Sequence, residues 1–427
     1  MQNEYRGLRS TAVRPHNRRL VLQLLRASGP LTRPAISTAS GLSPAAVSNV
    51  VNELIDDGFV ADQPAPVQSA GLVPRRVGRP ATAVRLVAES KCVLALQVGA
   101  GTFQVGVCDI EANLLDSRAE RFAVRRPADE VLGEAADALA DVLRATGRSP
   151  ADVLGIGVGA AGLVDRTGRH NIVAANSGWR DVPMADLLEA HLDMPVTVDH
   201  NVRAMATGEA RYGRGVDVES LVFIYARTGL GLGLVLDGRP YRSGRLGSHE
   251  IGHLPIVGAD QPCSCGKRGC LETVVSDIAL FEQLRIAGLA GADRLDAHVL
   301  ATWVAAVHDG EPDAVAVRDR FTEALGQGLA VVVELLDPHV IIVGGLLDDC
   351  RDILIEPLRR STAERLTSWT REGLRIEPTA FGPSSGLIGA ATVALDAYLF
   401  GAPLREPVVR RTFDASALAT VGNGGAT

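Results

Sequence analysis

The 427-residue sequence lacks any uninterrupted run of about 18 apolar residues, the length a membrane helix needs. Its first segment, Met1 to Ser10, is polar and holds no apolar core of the kind a secretory signal carries. Both absences lead to the expectation of a cytoplasmic protein with no membrane partner. Cysteine is scarce, with six in the chain, and three of them fall within eight residues at Cys263, Cys265 and Cys270. Cys92, Cys108 and Cys350 stand alone among apolar neighbours. Such a distribution is no disulfide framework, and in a reducing compartment the cluster reads as a metal site. Acid is sparse at the start of the chain: Met1 to Ala88 holds eleven arginines against five acids, while the whole chain carries −7. A basic head on an acidic body points to a polyanion partner for the head alone.

What is present divides the chain, whose length suggests two or three domains. Residues 14–88 hold three short helical patterns. Arg18 to Ala27 places Leu20, Val21, Leu24 and Leu25 at helical spacing and stops at Gly29-Pro30. A second pattern starts near Thr32 and stops at Gly41. The third runs from Pro44 to Asp57, with Ser43 as cap, Pro44 at the first helical position, and a stripe of Val47, Val50, Val51, Leu54 and Ile55. Phe59-Val60 and Ala83 to Val87 read as strands around an arginine-rich loop, Gln63 to Pro80. The body, residues 90–400, shows strand, glycine turn and strand at Cys92 to Ile110, and again at Leu221 to Gly238. This weak duplication suggests two related lobes facing a cleft. Val340 to Gly345 is a further glycine-ended strand, and the pattern is α/β. Residues 401–427 lack periodicity and are expected to be largely disordered.

Three helices followed by a two-stranded wing is the outline of a winged helix-turn-helix. In such a unit the second helix of the pair lies in the major groove of DNA. Opposite the Pro44–Asp57 stripe lie Ala45, Asn49 and Asn52, flanked by Ala46 and Ser48. Asparagine can bond adenine edges, and small residues permit close approach. Thr32, Arg33 and Ser43 at the helix starts, and Arg76, Gly78 and Arg79 in the wing, complete the candidate DNA contacts; Arg75 adds charge beside them. A three-helix protein-interaction module has the same outline, but the basic head and arginine wing favour DNA. Farther on, His253, Cys263, Cys265 and Cys270 form a set suited to tetrahedral zinc. Four protein ligands close the coordination, so the zinc is expected to be structural. His249 reads as a neighbour rather than a ligand.

The run NRRLVLQLLRASGPLTRPAISTASGLSPAAVSNVVNELIDDGFV, with VGRPAT downstream, resembles the N-terminal domain of regulators of the ROK family. That family comprises repressors, open reading frames and kinases built on one sugar-kinase-like body. His249 to Glu272, HEIGHLPIVGADQPCSCGKRGCLE, is similar to its signature, in which E-x-G-H precedes C-x-C-G-x-x-G-C-L-E. The resemblance spans roughly Asn17 to Leu399. It implies a winged helix-turn-helix joined to a two-lobed, actin-like or ribonuclease H-like body, with zinc on the histidine and three cysteines. It also implies that His253 faces a sugar and that Glu250 and Glu272 bond sugar hydroxyls. Asn176-Ser177-Gly178-Trp179 resembles the family's N-L-x-W segment, whose asparagine bonds the sugar; Trp179 itself reads as core. Gly157 to Asp165 resembles the loop beside the sugar, and Thr228 to Gly233, Gly344-Gly345 and Ser385 to Ala390 match nucleotide-cleft positions.

The kinase chemistry is where the sequence departs from the family. The first phosphate loop there reads D-x-G-G-T, and here Gln97 stands where the acid belongs. Counting back from Gly208-Glu209 through the N-D-x-N-A segment puts Asn201 at the catalytic aspartate. Asparagine cannot accept a hydroxyl proton, although it can bond a sugar. Asp199, two residues earlier, is the one nearby acid and is not expected to substitute. These residues lead to the expectation of a non-catalytic, sugar-responsive DNA-binding regulator, a repressor of carbohydrate genes. Its partners would be double-stranded operator DNA, a sugar or sugar phosphate, and itself as homodimer or tetramer. The alternative is an active ATP-dependent sugar kinase with a DNA-binding head.

Overall fold

The computed structural model of the protein describes residues 10–64, 82–242, 244, 247, 249–291 and 295–401. The wing residues Arg75, Arg76, Gly78 and Arg79 and the tail from residue 402 onward lie outside the described residues. The head comprises α1 (Ser10–Ser28), β1 (Leu31–Thr32), α2 (Arg33–Ser40), α3 (Pro44–Asp56), β2 (Val60–Pro64) and β3 (Thr82–Leu86). Thr32 and Ser43 cap the second and third helices, accepting from Ala35 N (3.3 Å) and Ala46 N (3.2 Å). Each supplies one otherwise orphaned N–H with a partner. Val47, Val50, Val51 and Leu54 are buried against Val21, Leu22, Leu25 and Ile36. The wing sheet runs β1-β3-β2, all antiparallel, with Val60 opposite Leu86. The structure extends α1 back to Ser10, past the Arg18 start given by apolar spacing, and includes Pro15. Ion pairs explain the extra turns: Arg14 reaches Glu53, and Arg18 reaches Glu53 and Asp57, both on the α3 side.

The first lobe holds β4 (Cys92–Gly99), β5 (Thr102–Asp109), β6 (Leu114–Arg121), α4 (Ala128–Ala145) and β7 (Val153–Ala160). A small sheet of β8 (Leu163–Val164), β9 (Asn171–Ala174) and β10 (Trp179–Val182) follows, then α5 (Met184–Leu192) and β11 (Val196–His200). The main sheet has order β11-β7-β4-β5-β6, with β11, β7 and β4 parallel. Next comes α6 (Asn201–Tyr212), which packs on both lobes. The second lobe holds β12 (Ser220–Ala226), β13 (Leu230–Leu236), β14 (Arg239–Pro240), α7 (Glu272–Val275), α8 (Asp277–Ile286), α9 (Ala297–His308) and α10 (Pro312–Leu336). It continues through β15 (Val340–Gly345), α11 (Leu346–Asp349), α12 (Arg351–Ala363), α13 (Ser368–Glu372) and β16 (Ile376–Pro378), with sheet order β14-β13-β12-β15-β16. Both main sheets contain an antiparallel hairpin at a glycine turn, β4–β5 and β12–β13, at the two places where the sequence repeats its pattern. Finally α14 (Ser385–Leu395) returns to lie on the first lobe and on α6. Among the described residues, no helix is long and apolar enough to cross a membrane.

The first lobe and the head share an apolar cluster. Val93, Ala95, Cys108 and Ile110 of the first sheet meet Leu387, Ile388, Ala391 and Leu395 of α14, and that cluster runs on into Val21, Leu22 and Leu25 of α1. The head is therefore packed on the body. Trp179 lies in the first-lobe core, 6.2 Å from Phe122 between ring centres, with its indole N–H on the Arg126 carbonyl (2.9 Å). That is the packing role its apolar neighbours suggest.

Candidate functional site

Three places carry chemistry. In the head, Ala45, Asn49 and Asn52 are exposed on α3, while Ala46 and Ser48 are half-buried. Ser48 Oγ donates to the Pro44 carbonyl (2.9 Å) and so serves its own helix. Arg33 lies bidentate on Asp62 of the wing strand, at 2.8 and 3.2 Å, rather than turned outward. The outward surface of α3 is thus small and polar, the kind that enters a groove.

The second place is the loop between β14 and α7. The side-chain donor atoms of His253, Cys263, Cys265 and Cys270 all lie within 4.8 Å of one another. Cys263 Sγ is 3.6 Å from His253 Nδ1, and Cys265 Sγ is 3.7 Å from Cys270 Sγ. A zinc tetrahedron with Zn–S near 2.3 Å has edges of about 3.7 Å, so the four donors fit that ion. The backbone builds the convergence: Cys263 N–H donates to Lys267 O (2.8 Å), Gly266 N–H to Cys263 O (3.0 Å), and Leu271 N–H to Leu254 O (2.8 Å). Gly269 has φ +70°, and a Cβ there would lie 2.7 Å from Ala259 O, so only glycine closes the loop. The Lys267 backbone N–H, bonding the Cys265 sulfur, lowers that thiol below its ordinary value. Zinc, when bound, would fix this loop through those four side chains. His249 is not among the four.

The third place is the crevice at the carboxyl ends of β4, β7 and β11, where open α/β sheets bind ligands. Asn201, buried, opens α6 there. A Cβ on Gly159 would stand 2.6 Å from Gln97 Oε1 and 3.6 Å from Asn201 Cα, so both residues crowd one glycine. Gln97 Oε1 is buried without a hydrogen-bond partner. Asp199 Oδ1 accepts from Arg203, from Arg242 (3.2 Å) and from His200 N–H (2.8 Å), which commits that oxygen to structure. Burial, aided by the Arg203 charge, pushes His200 down to about 4, against the pull of Asp199 and Glu250. The same causes lower His249.

Other predicted residues gather about the glycine turn of the second lobe. A Cβ on Gly229 would lie 2.9 Å from Glu272 Oε2 and 3.5 Å from Asn176 Nδ2, so these two meet across the glycine turn. Glu272 Oε2 accepts from Leu230 N–H (3.0 Å). His253 presents Nδ1 to Cys263 and Nε2 to Glu250 at 3.8 Å, so its ring spans the cysteine cluster and that carboxylate. Residues that the sequence did not single out also matter. Arg203 and Arg242 carry no spacing signal, yet they claim Asp199. Arg227, at the carboxyl ends of parallel β12 and β15, is pinned 2.6 Å from Asp349. Nearby Asp277 is pushed up to about 6, chiefly by burial.

Residues 93–397 match the ROK family across most of the chain. The chain belongs to the ROK family. Residues 14–61 match a winged helix-turn-helix DNA-binding family. The ROK relatives include both branches. The xylose repressor of Bacillus subtilis (strain 168) is 23% identical over 91% of this chain and 97% of its own length. The glucokinase of Streptomyces coelicolor is 30% identical, but over 70% of this chain and 96% of its own length. Among solved structures, a ROK family transcriptional regulator, homolog of the E. coli MLC protein, superposes with TM-score 0.75 at 25% identity, covering 90% of this chain and 96% of that one. A ROK family glucokinase from Streptomyces griseus, in complex with glucose and AMPPNP, superposes with TM-score 0.62 at 29% identity, covering 70% and 98%. The fold is a winged helix-turn-helix on a ROK sugar-kinase-like body, as the motifs implied. Similarity to the regulators runs through the head; similarity to the kinases stops at the body.

Proposed function

We propose that this protein is a sugar-responsive transcriptional repressor whose body binds a sugar or sugar phosphate without phosphorylating it. The observation that carries the reading is the head itself, a winged helix-turn-helix packed on a ROK body in a chain aligned over 90–91% of its length with xylose repressors. Asn49 and Asn52, with Ala45, Ala46 and Ser48, would read base edges, and Arg76, Gly78 and Arg79 would hold the flanking backbone. Asn176, Asn201, Glu250, His253 and Glu272 would hold the sugar hydroxyls. Gln97 and Asn201 offer no carboxylate at the two kinase positions, Asp199 is committed to two arginines, and the Arg227–Asp349 pair occupies the second lobe's strand ends. These features oppose the kinase alternative. His253, Cys263, Cys265 and Cys270 would hold one structural zinc. A single head covers one half-site, which favours a homodimer on a two-fold operator in the cytoplasm.

The test uses the full chain with D-xylose and D-glucose as probes. One of them should raise the melting temperature and change affinity for the DNA upstream of the protein's own gene, with no sugar-dependent ATP hydrolysis. Sugar phosphate formed at an enzymatic rate would overturn the reading.

A further inference from the structure

The seam between head and body contains a contested carboxylate. Arg26 of α1 has a side chain only 7% exposed, and its Nη1 lies 2.7 Å from Asp396 Oδ1, in the turn after α14. Its guanidinium carbon stands 4.1 Å from the centre of the Phe400 ring. Gln23, one turn earlier, donates to the Phe400 carbonyl (2.8 Å). A second arginine wants the same acid. Arg211, at the end of α6 and 9% exposed, places Nε 3.6 Å from Asp396 Oδ2, and its Nε and Nη2 make no hydrogen bond. Two buried guanidiniums share one carboxylate, and the head's arginine holds it. Arg211 reaches the second carboxylate oxygen only at ion-pair distance, and a buried guanidinium so loosely paired gains by closing on the acid. A shift of about 1 Å would bring Arg211 within hydrogen-bond distance.

The helix that carries Arg211 and the helix that leads into Asp396 both begin at the crevice. α6 starts at Asn201. α14 starts beside Gln97, since a Cβ on Gly386 would lie 2.7 Å from Gln97 Cγ. Midway they touch backbone to backbone: a Cβ on Gly389 would lie 2.6 Å from Met205 N and 2.7 Å from Ala204 C. With no side chain to cushion it, that contact is tight. α6 is one continuous helix from Asn201 to Tyr212, so a displacement at its crevice end would be carried to Arg211, measured against Asp396.

We propose that Asp396 changes partner, from Arg26 of the head to Arg211 of α6, when a sugar occupies the Asn201 end of α6, and that this exchange releases the head from the body. The proposal rests on the sugar-binding reading above.

Amide hydrogen exchange of the full chain tests it, with and without saturating D-xylose or D-glucose. Arg26→Gln should speed exchange across α1 to α3 without sugar, by a factor within the roughly 5- to 150-fold range of allosteric couplings. The body should stay protected, because Asp396 passes to Arg211. Arg211→Gln should leave the head protected and abolish its response to sugar. A merely structural triad would loosen the head in both variants, and that result overturns the proposal. Protection of the Glu250–Glu272 segment reports sugar binding separately. If a sugar protects that segment but wild-type head exchange stays unchanged, the partner exchange is refuted while the sugar reading stands. If neither sugar protects it, opposite behaviour of the two variants without sugar still supports the contest for Asp396, and loosening of the head in both still overturns it.

Discussion

His253 has two ring nitrogens, and the structure gives each a different neighbour. Nδ1 faces Cys263 and Nε2 faces Glu250, so one side chain joins the cysteine cluster to the crevice. Cys263→Ser should therefore lose its zinc and also slacken the segment that positions Glu250. Elemental analysis should find about one zinc per chain in wild type and far less in the variant, with a lower melting temperature. A fully loaded, equally stable variant would remove Cys263 from the ligand set. His200 makes a separate prediction. Its folded value near 4 lies below the roughly 6.5 of an exposed imidazole. Between those values the unfolded chain binds a proton that the folded chain refuses, so stability falls as pH falls through that window. The slope is at most about 1.4 kcal/mol per pH unit for one group. Urea unfolding between pH 7 and pH 4.5 should show a shallower acid decline for His200→Gln than for wild type; an identical decline would exclude His200 as a contributor. Any zinc loss at low pH would affect both proteins alike, so the difference isolates the imidazole.

The pair α6 and α14 shows why some elements are readable in sequence and their contacts are not. Local signals marked the glycine-ended strand at Val340–Gly345 and the cap and stripe of α3, because each is set by neighbours a few residues away. The convergence of His253 with three cysteines was legible for the same reason. Ion pairs that extend α1 back to Ser10 span 39 residues, and apolar spacing is blind to them. Arg26 and Asp396 stand 370 residues apart, and nothing in either neighbourhood announces the other. The claim of Arg203 and Arg242 on Asp199 was equally hidden, since a lone arginine fits a solvated position as well as a buried one. Gly389 is a case where packing, rather than turn geometry, demands glycine. A methyl there meets backbone atoms of α6 at 2.6–2.9 Å, and backbone cannot step aside as a flexible side chain can. Gly389→Ala should cost roughly 1–3 kcal/mol by overpacking, read as a lower urea midpoint. Gly291→Ala is the control: its new Cβ would find nothing within 4 Å, and it should be nearly neutral.

Across the whole molecule the charge asymmetry takes a sharper form than the composition suggests. The head's surplus of arginine looks like a general DNA-binding surface, but much of it is spent internally. Arg14 and Arg18 pair with Glu53 and Asp57, Arg33 with Asp62, and Arg26 with Asp396 in the seam. Of the head's other seven arginines, three fall together at Arg75, Arg76 and Arg79, outside the described residues. Each phosphate neutralised by such a residue adds about 0.9 to the slope of log affinity against log salt. Arg79→Ala should therefore lower that slope by about 0.9 and weaken operator and random duplex alike. Arg33→Ala should leave the slope unchanged, because its guanidinium already belongs to Asp62. Asn49→Ala should also leave the slope unchanged while narrowing the gap between operator and random DNA by roughly 1–3 kcal/mol, the worth of one bidentate base contact. Fluorescence anisotropy between 50 and 200 mM salt separates the three variants on one plot. If Arg33→Ala lowers the slope as much as Arg79→Ala does, Arg33 leaves Asp62 for a phosphate on binding, and the wing is not the head's main electrostatic contact.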